Sequence, residues 1–139
     1  MDVQPGHEEV GDSEILYRRI PEVHYDANLK APRREAFQPN DHDLTGISVS
    51  RAKYTTPLQA IGARRTKPTY VAVLNAHELR QHGIQIVPKP EPENVGHAEL
   101  PNLRKDNRKE TNTIRLQGVL VTLCTAILGP YTPPPSADP

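Results

Sequence analysis

The chain has no tryptophan, one phenylalanine, one cysteine and no surplus of either charge. Each shortage excludes something. Five tyrosines and the single Phe37 leave little on which nucleobases can stack. Lys and Arg number 17 and Asp and Glu 17, so no general field draws in nucleic acid or an anionic membrane. Neither nucleic-acid nor membrane binding is expected. Cys124 stands alone in an apolar run, which excludes an internal disulfide and reads as a buried, reduced thiol. That suits a cytoplasmic protein. No apolar run reaches the ~20 residues that a bilayer-spanning helix needs. The beginning is acidic rather than basic-then-apolar, so no secretory signal is read there. Walker loops, dinucleotide glycine fingerprints, GxSxG elbows and CxxC pairs are all missing.

What is present organises around Tyr70 to Pro88. Tyr70–Leu74 is a short uncharged run rich in β-branched residues, the pattern of an interior strand. Asn75 and Glu78 have capping-box spacing for a helix over 76–82, and Gly83 fits its left-handed end. Ile84, Ile86 and Val87 resume a strand pattern that Pro88 ends. Upstream, Ile15–Ile20 predicts a strand stopped by Pro21; if it is central, Arg18 or Arg19 must point inward or line a groove, and if it is an edge both are solvated. Residues 22–43 form a long polar loop, docked by Ala36 and Phe37. Gly46–Ser50 alternates like a half-buried strand, with Ile47 and Val49 inward. Thr56, Pro57 and Gln59 open a second capped helix, and Arg64, Arg65 and Lys67 form an exposed basic turn.

Downstream, Gly96–Leu100 predicts a last strand. Ile114, Leu116, Val119, Leu120, Leu123, Cys124 and Ile127 recur at helical steps. The predicted class is α+β: a small mixed β-sheet with short helices and a C-terminal amphipathic helix packed on it. The domain spans 14–129, between a disordered acidic stretch over 1–13 and a proline-rich disordered tail over 130–139.

Three groups of residues invite chemistry. Asp41, Asp43 and Gly46 resemble the opening of a calcium loop, but Ala52 stands where the closing acid belongs, so a capped turn is the simpler reading. The histidines have no metal spacing, and no metal is expected. His97 and Glu99 alternate along one strand and so share a face, as a proton-transfer pair or an ordinary exposed pair. Arginine pairs at 18–19, 33–34 and 64–65, with a basic cluster over 104–109, make a phosphate-binding patch if the fold gathers them.

The order LYRRIP, GISVSR, YVAVLNAHEL and GHAELP resembles a family of small bacterial proteins that brings no assigned chemistry. A looser similarity is to ADP-ribosyltransferase toxins. It implies NAD as substrate, for transfer or hydrolysis, with Arg18 on the NAD phosphates, Ser48 or Ser50 ordering the site and Glu99 as catalytic acid, His97 standing where a partner acid is usual. The expected function is a non-catalytic protein- or ligand-binding module, engaging another protein and needing no cofactor. The transferase is the alternative.

Overall fold

The computed structural model describes residues 4–62 and 66–133. Its strands are β1 Ile15–Pro21, β2 Tyr25–Asp26, β3 Ala31–Pro32, β4 Ile47–Arg51, β5 Thr69–Asn75, β6 Val87–Pro88, β7 His97–Leu100 and β8 Ala126–Tyr131. The helices are α1 Pro57–Ile61, α2 Ala76–Gln81 and α3 Thr111–Leu123. Six strands form one sheet in the order β6-β7-β4-β1-β5-β8, and β2 pairs with β3 in a separate small ribbon. The fold is α+β. Every pairing of the sheet is antiparallel, so the sheet is not mixed as the sequence suggested: no pair of neighbours is joined by a parallel crossover.

Alternation along the strands divides the sheet into two unlike faces. Leu16, Ile20, Ile47, Val49, Leu74, Ala98 and Leu100 face one way into a core completed by Phe37, Leu79, Leu116 and Leu120. On the other face β1 and β5 place Arg19 beside Val71. Val71 and Ile61 of α1 are buried there, outside the main cluster. Helices α2 and α3 belong to the core side, while α1 leaves much of the second face uncovered.

Local signals explain most elements. Thr56 and Gln59 exchange both bonds of a capping box at the start of α1, and Asn75 accepts from the His77 and Glu78 amides at the start of α2. Strand β1 is central, with β4 on one side and β5 on the other. In the loop after it, Ala36 and Phe37 are buried, and Tyr25 of β2 stacks on Tyr70 with ring centroids 3.8 Å apart.

Elsewhere the structure departs from the sequence reading. Ile84 and Ile86 are buried without a strand, and only Val87–Pro88 pairs. Helix α3 turns Thr113, Leu116, Gln117 and Leu120 inward and leaves Ile114 39% exposed, so its buried face is rotated by one position. It ends at Leu123. The Thr125 amide and hydroxyl then bond the Val73 carbonyl, and residues 126–131 run as edge strand β8. Ile127 is thus a strand residue, and Pro130 and Tyr131 belong to the sheet rather than to a tail. The acidic start is also ordered from residue 4, with Val10 only 1% exposed in the core. Residues 1–3 and 134–139, and the predicted turn at Arg64 and Arg65, lie outside the described residues. Among the described residues no helix is long and apolar enough to cross a membrane.

Candidate functional site

The site begins where two strands part. β1 pairs with β5 along all seven of its residues, from Ile15 to Pro21, but with β4 only at Leu16–Arg51 and Tyr17–Ser50. Beyond Tyr17 the two strands diverge. The Ser48 carbonyl, which a continued ladder would have given to β1, accepts instead from Nη1 of Arg18 at 2.8 Å. The Ala36 carbonyl accepts from Nε and Nη2 of the same guanidinium, at 3.1 and 2.9 Å. Arg18 shares the face of Leu16 and Ile20, so it approaches the gap from the core side and plugs it.

A polar cleft of about 630 Å³ opens over this gap. That volume falls in the range typical of small-molecule sites. It is lined among others by Arg18, Arg19, Ser48, Ser50, Asn94, His97 and Arg108. The cleft therefore collects arginines from two of the four basic clusters seen in the sequence.

Its charges are not balanced locally. The lining carboxylates have cations of their own: Asp41 pairs with Arg108 at 2.9 Å, and Glu35 with Arg34 at 3.6 Å. Among the described residues Arg18 and Arg19 have no carboxylate partner. Burial pushes the Arg18 guanidinium down to about 10 and the neighbouring charge of Arg19 adds to this, while Asp43 opposes it. Arg18 remains charged at neutral pH, held by dipoles rather than by an anion.

The opposite wall carries a fixed hydrogen-bond chain. His97 and Ser50 are cross-strand partners, as are Glu99 and Ser48, so all four side chains lie on the second face. His97 Nε2 is 3.0 Å from Ser48 Oγ, and His97 Nδ1 is 2.8 Å from the Lys89 carbonyl. A carbonyl only accepts, which assigns the ring proton to Nδ1 and leaves Nε2 to accept from the Ser48 hydroxyl. Asn94 Nδ2 donates to Ser50 Oγ at 3.1 Å.

Arg18, Ser48 and His97 thus line one cleft, and Glu99 does not. Its carboxylate accepts from the Thr45 hydroxyl at 2.5 Å and pairs with Lys89 at 3.3 Å. The resemblance to ADP-ribosyltransferases implies arginine and glutamate on one cleft. Here Glu99, held by Thr45 and Lys89, is not among the residues that line it. Asp41 and Asp43 likewise serve the loop, since Asp43 accepts from the Asn40 amide at 2.8 Å, and no cluster among the described residues suits a metal ion.

Sequence reasoning missed a buried arginine. Arg51 is 0% exposed. Nε and Nη2 donate to the two carboxylate oxygens of Glu14 at 2.8 and 2.7 Å, and Nη1 donates to the Glu8 carbonyl at 3.0 Å. Tyr54 packs its ring 5.4 Å from the guanidinium and donates to Glu8 at 2.5 Å. Gly6, at φ +88, sits where a Cβ would lie 2.3 Å from the Val95 carbonyl, so the segment closes over the sheet only with glycine there. A signal was available: Ile47, Val49 and Arg51 are successive inward positions of one alternating strand. No family model matches this chain, and no curated protein or solved structure matches it either.

Proposed function

We propose that this protein is a small binding module whose cleft between β1 and β4 receives the anionic group, phosphate or carboxylate, of its ligand. The observation that carries the reading is the pair Arg18 and Arg19, two cations lining one cleft without a carboxylate partner among the described residues. Arg19 is exposed and Arg18 partly buried, with Asp43 acting on Arg18 only from beyond ion-pair distance, and a ligand anion adds the close counter-charge that both lack. Arg18 is already fixed by three hydrogen bonds, so little of its freedom remains to be lost on binding. Three of its five N–H groups are occupied, which leaves donors for the ligand. A partner protein can present such a group from an acidic side chain, but the cleft's size suits a small molecule.

The test is titration with inorganic phosphate and pyrophosphate, followed through the amide resonances of β1 and β4. Saturable shifts at residues 17–19 and 48–50 that weaken with salt and disappear in Arg18→Met support the reading. Shifts spread evenly over the surface, or unchanged in Arg18→Met, contradict it.

A further inference from the structure

Beyond ligand binding, we propose that Ser48 is a nucleophile activated by His97, and that the cleft hydrolyses small carboxylic esters whose acyl part carries an anionic group. Three features converge on this. The first is the hydrogen-bond chain from Ser48 Oγ to His97 Nε2 at 3.0 Å, and from Nδ1 to the Lys89 carbonyl at 2.8 Å. It holds the imidazole as the tautomer that can take the hydroxyl proton, with a third group orienting the base. The carbonyl of Lys89 does what a carboxylate does in other nucleophile–base pairs, fixing ring and tautomer.

The second feature is access. Ser48 and His97 both line the cleft rather than the core, so a substrate reaches the hydroxyl from the same opening that exposes the arginines. The third is a neighbouring cation. Arg19 lines the same cleft from β1, across the gap from Ser48, and has no carboxylate partner among the described residues. It can hold the acyl chain's anion while the Ser48–His97 pair attacks the ester.

The chemistry balances without any further reactant but water. Ser48 Oγ bonds to the ester carbon while its proton passes to Nε2 of His97. The bond from that carbon to the alcohol oxygen breaks, and the departing alcohol takes the proton back from Nε2. A water molecule then gives its proton to Nε2 and attacks the acyl-serine. Ser48 leaves, reprotonated, and the free acid remains.

Diisopropyl fluorophosphate, a neutral probe of activated serines, separates this proposal from the anion site. Treatment of the full chain followed by peptide mass mapping should place one adduct on Ser48, absent in Ser48→Ala. His97→Gln should slow labelling by about 10²-fold or more, the usual loss on removing a general base, with an unchanged circular dichroism spectrum showing that the fold survives. 4-Nitrophenyl hydrogen glutarate should be hydrolysed faster than 4-nitrophenyl acetate, and Arg19→Gln should erase that preference by raising KM for the glutarate. An unmodified Ser48 in the wild type, or equal labelling rates in wild type and His97→Gln, overturns the proposal. Labelling of Ser48 that saturating inorganic phosphate does not slow upholds the nucleophile and counts instead against the anion site.

Discussion

Two arginines reach into this protein from neighbouring strands, and they are held by opposite kinds of partner. Arg51 meets the carboxylates of Glu14 and Glu8 and the carbonyls of the first residues. Its bond with Glu14 holds the guanidinium above its usual range although burial works the other way. Arg18 meets only carbonyls, and burial lowers it to about 10. A cation neutralised from within has nothing left to offer a ligand, whereas one held by dipoles keeps its field. The first ties the beginning of the chain to the sheet. The second is where the proposed binding reading places a ligand's charge.

The largest test of that contrast is Arg51→Met. Removing it strands Glu14 and several backbone carbonyls in a closed environment, and breaking a buried pair from one side typically costs about 3–5 kcal/mol. Urea unfolding should register a loss of that size. A loss below about 1 kcal/mol would make the ordered N-terminal segment an accessory to the fold rather than part of it.

Acid should undo the same knot. Lys53 and the Tyr54 hydroxyl hold the Glu8 carboxyl down to about 2, from an ordinary 4.5. Burial, the largest single influence on Glu14, disfavours its charged form, but the Arg51 bond, the Gly11 amide and the charges of Arg51 and Lys53 together outweigh it, so this carboxyl also titrates below its usual range. Both are depressed in the folded state, so their contribution is whole above pH 4.5 and is lost as pH falls towards 2. Amide exchange at Val10 and Gly11 should accelerate across that window before the core strands open. Simultaneous exchange of β1 and β5 would show that the segment has no separate stability.

Arg18→Met should act the other way round, with a modest effect on folding and a decisive one on the cleft. It frees the Ser48 and Ala36 carbonyls, at about 1–2 kcal/mol, while abolishing the cost of an uncompensated cation. Urea unfolding should find it clearly milder than Arg51→Met, and the phosphate-dependent shifts should vanish. Equal destabilisation by the two variants would erase the distinction between them.

How much of this was legible beforehand varies by residue. Capping at Thr56 and Asn75, the interior strand Tyr70–Leu74 and the inward Ile47 and Val49 are local signals, and they hold. Parity also places both arginines on the core face, since Arg18 shares its phase with Leu16 and Ile20, and Arg51 with Ile47 and Val49. For β1 the sequence leaves open which arginine turns inward and whether the strand is central, and the strand read over Gly46–Ser50 ends one residue before Arg51. The partners of Arg51 are 37 to 45 residues away in sequence, and no short-range pattern encodes such a meeting. β8 was masked because Ile127 extends the helical spacing of α3, although it begins after Thr125 turns to bond Val73. The cleft exists because β1 and β4 separate after Tyr17. A change in pairing of that kind belongs to the assembled sheet, not to either strand.

The smallest expected effect is also the sharpest discriminator. Arg19 is exposed and makes no ion pair or side-chain hydrogen bond among the described residues, so Arg19→Gln should change stability by less than about 0.5 kcal/mol. It leaves the Arg18 plug and the Ser48–His97 chain in place. If Arg19 supplies part of the cleft's field, phosphate should bind more weakly and its salt dependence should flatten, because one fewer exposed cation contributes to the attraction. Unaltered affinity with a flatter salt curve would assign Arg19 to long-range attraction, leaving Arg18 alone at the bound anion. Unaltered affinity and slope together would confine the unmatched charge to Arg18. The contrast with Arg51 would then rest on one guanidinium in each place, distinguished only by whether carboxylates or carbonyls surround it.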